Sequence, residues 1–265
     1  MTFKRLLLTG AAGALGRELR PRLKRHCEVL RLSDIAELGS AGAGEELVPA
    51  ALERADAVLR LLDGVDAVVH LGGISVEGPF EPILQANIVG IYNLYEAARL
   101  QHVRRIVFAS SNHVTGFYRQ DEVIDPRAPM RPDSYYGLSK AFGENLSRFY
   151  FDRYGIETVC LRIGSSFPEP KDRRMLATWL SYDDLERLVV ASLTAPVVGH
   201  SVVYGMSDNV TTWWDNTSAA HLGYRPKDSS EPYRAAAEAR QPELDRNDPT
   251  VVYQGGGFVT KGPYG

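Results

Sequence analysis

The stretch Thr9-Gly10-Ala11-Ala12-Gly13-Ala14-Leu15-Gly16 constrains this chain more than any other. It follows an apolar run, Leu6-Leu7-Leu8, that has the length and burial of a first strand, and it opens into a segment with helical spacing. In a strand–turn–helix unit of this kind each glycine has its own task. Gly10 permits the tight turn, Gly13 lets the backbone approach a pyrophosphate, and Gly16 allows the helix to lie close on the sheet. The amino end of the helix then presents free N–H groups and the positive end of its dipole to the phosphates. Asp34 stands 18 residues after Gly16, at the end of the second apolar run, where a dinucleotide fingerprint places its ribose-binding acid.

That acid also selects the ligand. A carboxylate at Asp34 accepts hydrogen bonds from ribose hydroxyls and repels a 2′-phosphate, so NAD is expected over NADP. Arg31 is close in sequence, but strand alternation turns it away from Asp34 or leaves it solvated.

The rest of the chain alternates between short apolar runs and longer helical segments. Strands are expected at Leu6–Thr9, Glu28–Leu32, Leu47–Val48, Ala67–Leu71, Arg105–Ala109 and Glu157–Ile163, with a further candidate at Val202–Tyr204. Helices are expected at Gly16–His26, Ala50–Leu62, Ile83–Arg99, Gly137–Tyr154, Asp183–Ala195 and Glu231–Glu238. This order predicts an α/β fold: a doubly wound, Rossmann-type parallel sheet with helices on both faces and a small C-terminal substrate cap. No linker or internal repeat interrupts the 265 residues, so one domain is expected, with 1–164 mainly the dinucleotide-binding core and 165–265 mainly the cap.

Composition removes several classes of partner. The formal net charge is −3 and no basic stripe carries interleaved aromatics, which argues against nucleic acid and against an acidic membrane surface. Lys4-Arg5 before the leucines resembles a signal peptide, but the apolar run stops at Thr9-Gly10, too soon for an h-region or a span. The two cysteines, Cys27 and Cys160, make no disulfide framework and fit a reducing compartment, so the cytoplasm is expected. No metal site is expected.

A second constellation points to chemistry. Tyr136 and Lys140 are four residues apart on one helical face, within Tyr135-Tyr136-Gly137-Leu138-Ser139-Lys140. A phenol with its pKa near 10 is a poor base at neutral pH unless a neighbouring cation stabilises the phenolate. Ser110-Ser111-Asn112-His113 ends a strand upstream, where the Ser111 hydroxyl can bond the reacting oxygen. With the glycine loop, His70–Gly73, Asn87 and Leu161–Gly164, these motifs make the chain resemble the extended short-chain dehydrogenase/reductase family over nearly its whole length.

The resemblance implies Tyr136 as general base, Lys140 as its pKa-lowering partner and ribose contact, and Ser111 as the orienting hydroxyl. It implies cofactor contacts from Gly10, Gly13, Ala14, Leu15, Gly16, Asp34, Ile35, Leu52, Leu71, Gly72, Gly73, Asn87, Lys140 and Ser166. Ala51-Leu52 stands where many relatives carry an Asp-hydrophobic pair whose Asp touches adenine, so that contact is missing here. Further segments, among them His70–Glu81, Phe108–Phe117, Arg162–Pro170, Arg173–Leu176, Trp213–Asn216 and Gln254–Phe258, are similar to the branch that oxidises free hexuronates at the anomeric carbon. For that branch the implied substrate contacts are Ser75, Ser111, Asn112, His113, Tyr136 and Ser165, with Arg174 on the carboxylate, and the product is an aldarolactone. A homo-oligomer, built through the helices around 83–99 and 137–154, is implied as well. Two other readings fit the same scaffold: a sugar-nucleotide epimerase or reductase, and a non-catalytic NAD sensor.

Overall fold

The computed structural model describes residues 2–262 and Tyr264. Seven parallel strands, β1 (Phe3–Thr9), β2 (Cys27–Ser33), β3 (Glu45–Leu47), β4 (Ala67–His70), β5 (Arg105–Ser111), β6 (Glu157–Ile163) and β7 (His200–Gly205), form one sheet in the order β3-β2-β1-β4-β5-β6-β7. Parallel strands buried on both faces need apolar side chains on both, and the runs supply them by alternation. Leu6 and Leu8 of β1, Val69 of β4 and Leu161 of β6 face one layer, with α1 (Ala14–Leu23). Leu7, Val68, Phe108 and Cys160 face the other, under α2 (Ala55–Leu61) and two longer helices.

The strand order reverses between β1 and β4, the position at which open α/β sheets bind ligands beyond the carboxyl ends of their strands. Thr9, His70, Ser111 and Ile163 are all strand-terminal residues at that end.

Several expectations shift in detail. The single helix expected at 83–99 is three continuous pieces: α3 (Phe80–Ile83), a π-helical stretch at Leu84–Val89 and α4 (Gly90–Leu100). Asn87 lies in the π-helical stretch and clamps both backbone polar groups of Ile74, at 2.7 and 2.9 Å. The helix expected from Ala50 begins only at Ala55, because Leu52 packs inward against Gly72 and Gly90. The helix α5 spans Tyr135–Tyr154 and is capped by Ser134, whose side chain accepts from the Gly137 N–H.

The division at residue 164 needs correction. Beyond it, α6 (Met175–Thr178) belongs to the cap, but α7 (Tyr182–Thr194) packs in the core and β7 extends the sheet, pairing with all of Thr158–Ile163. The cap therefore contains α6 with its loop and the residues after β7, whose Trp213 and Trp214 pack against Tyr204 of β7 and Ile124. Within the described residues no helix is long and apolar enough to cross a membrane.

A buried ion pair fastens α5 to the sheet. Arg162 of β6 donates to both oxygens of Glu144, at 3.0 and 2.9 Å, and both side chains are 1 % exposed. Ser110 of β5 donates to the same carboxylate at 2.6 Å, and Arg162 also donates to the Tyr204 hydroxyl. Removing one partner of such a pair strands the other charge in a dry interior. Arg162→Ala should therefore cost about 3–5 kcal/mol of stability, measured by denaturant unfolding, whereas replacing both residues with apolar ones of similar volume should cost much less.

Candidate active site

The glycine loop separates into two kinds of position. Gly10 has φ +67, and a Cβ there would lie 2.7 Å from the Leu71 carbonyl carbon. A Cβ on Gly16 would overlap the Gly10 carbonyl. Both are required by the fold. Gly13 has extended backbone, and its hypothetical Cβ meets the protein only at the Gly10 carbonyl, 3.2 Å away. The protein can nearly accommodate a side chain at Gly13, so packing within the chain does not by itself require a glycine there.

Asp34 follows β2, and its carboxylate accepts from the N–H groups of Ala12 and Ala36, both at 3.0 Å. The acid is thereby locked beside the loop, while the neighbouring Ile35 is 82 % exposed. Arg31 points to the opposite side, onto Glu46 and the Leu61 and Asp63 carbonyls. The turn after β4 is held by Thr9, whose hydroxyl lies 2.7 Å from His70 Nδ1 and accepts from the Gly72 N–H. Burial and the nearby Lys140 ammonium push His70 down to about 3, so it is neutral. Both Asn87 amide hydrogens are used within the protein, on Ile74 and Ser139, which makes Asn87 a clamp on the turn beside Gly73. Ser166 Oγ is buried with no hydrogen-bond partner among the described residues.

The first turn of α5 brings Tyr136 under Ser111 and beside His113, whose ring meets the phenol edge-on at 5.8 Å. Burial pushes the phenol up to about 12, with the Ser111 hydroxyl working in the opposite direction. Lys140 is turned elsewhere in this structure. Its ammonium donates to the Ala109 carbonyl at 2.8 Å, lies 5.6 Å from the phenol ring centre, and is itself pushed down to about 8 by burial. Burial disfavours the charged form of both groups.

Across the cleft, Arg174 is the exception within a basic segment. Lys171 lies over the Phe167 ring and Arg173 bonds the Gln241 and Pro242 carbonyls. Arg174 turns inward: Nε donates to the Gln254 carbonyl at 2.6 Å and one terminal nitrogen donates to Ser165 Oγ at 3.3 Å. The Asn112 amide, oriented by its hydrogen bonds, donates to the Ile163 carbonyl and accepts from the other terminal nitrogen at 2.9 Å. A guanidinium has five N–H donors, so one remains on each terminal nitrogen. No carboxylate pairs with it among the described residues, and burial lowers its pKa.

Ser165 is buried and also shares a hydrogen bond with Thr178, whereas Ser75 lies exposed on the loop after the Leu71–Gly73 turn. Sequence reasoning missed four residues of this region. Asp133 bonds His113 Nδ1 at 2.7 Å, and Phe258 stacks on the His113 ring at 3.7 Å. Gln254 receives Arg174, and Glu77 accepts from the Tyr136 N–H at 2.8 Å. Asp133-Ser134 before a helix was readable as a cap signal; Phe258 and Gln254 carried none beyond their similarity segment. The tryptophan pair is buried in the cap, with Trp214 stacked on Tyr204 and bonded to Gln254.

Residues 6–195 match the NAD dependent epimerase/dehydratase family. The chain is 62% identical to a uronate dehydrogenase from Pseudomonas putida, over 99% of this chain and 98% of that one. It is 61% identical to a uronate dehydrogenase from Pseudomonas syringae pv. tomato, over 99% and 96% of the two chains. Its structure is similar to that of a tyrosine-to-alanine mutant of uronate dehydrogenase from Agrobacterium tumefaciens complexed with NAD, with a TM-score of 0.96, 53% identity and 98% of each chain covered.

The difference among the glycines is testable. Gly13→Ala should leave the melting temperature within a few degrees of the parent while weakening dinucleotide binding at least about tenfold, read by fluorescence titration. Gly16→Ala should instead lower stability itself, because its Cβ has no space. Equal losses of stability in the two variants would remove the distinction.

Proposed function

The chain belongs to the NAD dependent epimerase/dehydratase family, and from that premise we propose that it oxidises a free hexuronate, galacturonate or glucuronate in its pyranose form, at the anomeric carbon. It is an NAD-dependent oxidoreductase. The residues present fit the dinucleotide: Gly13 is bare toward the ligand side, Asp34 is locked next to the loop, and the buried Ser166 hydroxyl lacks a partner among the described residues. NAD, when bound, supplies the hydride acceptor and a cationic ring that favours nearby negative charge.

The protein's own residues do the rest. Tyr136 Oη takes the proton of the anomeric hydroxyl, and Ser111 holds that oxygen in line. A phenol pushed up by burial stays protonated until a cation or an aligned acceptor helps it, so Lys140 and the bound cofactor together must bring it into range. The product is the aldarolactone, which opens in water to the aldaric acid.

One observation carries the choice of substrate. Arg174 is an inward guanidinium with two free donors and no carboxylate in salt-bridge contact among the described residues, Asp133 and Asp172 acting on it only from further away. A substrate carboxylate compensates that charge and fits its fork.

Turnover of NAD, followed at 340 nm with uronates, neutral sugars and sugar nucleotides, tests the reading. Uronates should exceed galactose and glucose in kcat/KM by roughly ten- to a hundredfold, the worth of a charge-assisted bond. Arg174→Ala should collapse that ratio while leaving the slow neutral-sugar rate nearly unchanged, and Tyr136→Phe should cut turnover by at least about 10²-fold with NAD binding retained. No preference for acids in the parent enzyme would end the uronate assignment.

The assembly is a homo-oligomer in this reading. Tyr135, Leu138, Phe142 and Phe149 form an exposed stripe along α5, with Phe80 and Tyr92 on the neighbouring helical segments. Contiguous exposed aromatics of this kind suit a self-complementary contact. Light scattering should give a mass above the monomer, and Phe142→Asp with Phe149→Asp should shift it toward 29.3 kDa.

A further inference from the structure

The segment entering α5 carries a polar chain whose direction is fixed at one end. The Gly137 N–H is one of the unpaired donors of the helix terminus, and it donates to Ser134 Oγ at 3.0 Å. The Ser134 hydroxyl in turn donates to Asp133 Oδ1 at 2.7 Å. The other carboxylate oxygen, Oδ2, lies 2.7 Å from His113 Nδ1. Asp133 is 0 % exposed and has Gly116 and Gly255 packed against it where no side chain would fit, so it cannot touch a substrate itself. His113 is different. It stacks on Phe258, meets Tyr136 at its edge, keeps a tenth of its side chain exposed, and its Nε2 has no protein partner among the described residues.

We propose that Asp133, oriented by Ser134 and the amino end of α5, is a positioning residue that holds His113 as the Nδ1–H tautomer, so that Nε2 faces the cleft as an acceptor and selects a sugar hydroxyl that donates. The inference rests on the reading of the cleft as a sugar site and names what one wall of it requires. Four ionisable groups face the ring: Asp133, Tyr136, Arg174 and Lys261. Burial, Arg174 and Lys261 hold the imidazole below its ordinary pKa, with Asp133 opposing them. The ring is therefore neutral near pH 7 and has one N–H to place. An ionised carboxylate can only accept, so the proton sits on Nδ1.

Asp133→Asn reverses this logic with almost no change of shape. The new carbonyl oxygen stays with the Ser134 hydroxyl, whose proton has no other acceptor among the described residues. The amide NH₂ then faces Nδ1, and the imidazole proton moves to Nε2. The acceptor becomes a donor facing a donor.

Nitrogen-15 spectra of protein labelled at histidine, assigned through His113→Phe, read the tautomer without any need for turnover. The parent should show His113 protonated at Nδ1, and Asp133→Asn should show it protonated at Nε2. A parent protonated at Nε2 overturns the proposal even if the variant does not fold. In kinetics, Asp133→Asn should raise KM for the uronate at least about tenfold, with a smaller effect on kcat. In a His113→Phe background it should add nothing further, which a general loss of structure would not reproduce. The acid limb of kcat/KM should also move to lower pH in Asp133→Asn, because the group that raises the His113 pKa is gone. An unmoved limb, or an additive loss in the double variant, would overturn the assignment. Should uronates prove not to be substrates, the tautomer spectra still judge this inference separately from the proposed activity.

Discussion

The ion pair between Arg162 and Glu144 is the constraint from which the site's geometry descends. Two full charges in a dry interior are tolerable only when each is bonded on several sides, and that demand draws in Ser110 of β5 and Tyr204 of β7. Thr115 lies 3.0 Å from the same Tyr204 hydroxyl and donates to the Asn112 carbonyl, so the loop after β5 is anchored to the pair. Tyr204 stacks on Trp214, Trp214 donates to Gln254, and the Gln254 carbonyl receives Arg174. One buried pair thus connects the helix bearing Tyr136 and Lys140 with the wall bearing Asn112 and Arg174. It lies one helical turn beyond Lys140, which fixes the rotation of α5 about its own axis.

Dryness is the second common cause. Burial raises the phenol of Tyr136 and lowers Lys140, His113, His70 and Arg174, in each case disfavouring the charged form. A site of this kind interacts strongly with ligands that bring the complementary charge and weakly with neutral ones, since water no longer screens the interaction. The contrast between Arg173 and Arg174 illustrates the point. Adjacent residues of the same type reach opposite surroundings, one among carbonyls of the cap surface and the other in the cleft.

The core and the ligand loop were readable from the order of residues because both are local. A strand buried on two faces needs a short unbroken apolar run, a tight turn needs glycine, and a helix start needs a cap; each requirement is met within a few residues. The family resemblance added the grouping of Tyr136 and Lys140 with Ser111, which lie on helix α5 and on strand β5. Even here β7 was only a candidate, because His200–Gly205 is short and carries a histidine and a serine within it. The π-helical stretch at 84–89 was invisible, since its apolar spacing differs little from that of an α-helix and its purpose is the Asn87 clamp on Ile74.

By itself, then, the sequence determined a parallel doubly wound sheet, a glycine loop with its acid, and a tyrosine–lysine pair on one helix face. These follow from periodicity and from the steric needs of the backbone, which act over a turn or a strand. Tertiary structure alone decided that Arg174 turns inward while Arg173 does not, since the carbonyl that receives it belongs to Gln254, 80 residues away. It alone decided that Asp133 serves His113 and that Phe258 covers the ring. It also decided that Lys140 donates to the Ala109 carbonyl and that burial disfavours the charged forms of both Lys140 and the phenol. Hydrogen-bond partners and desolvation depend on which distant segments close over a side chain, and no local pattern of residues encodes that closure.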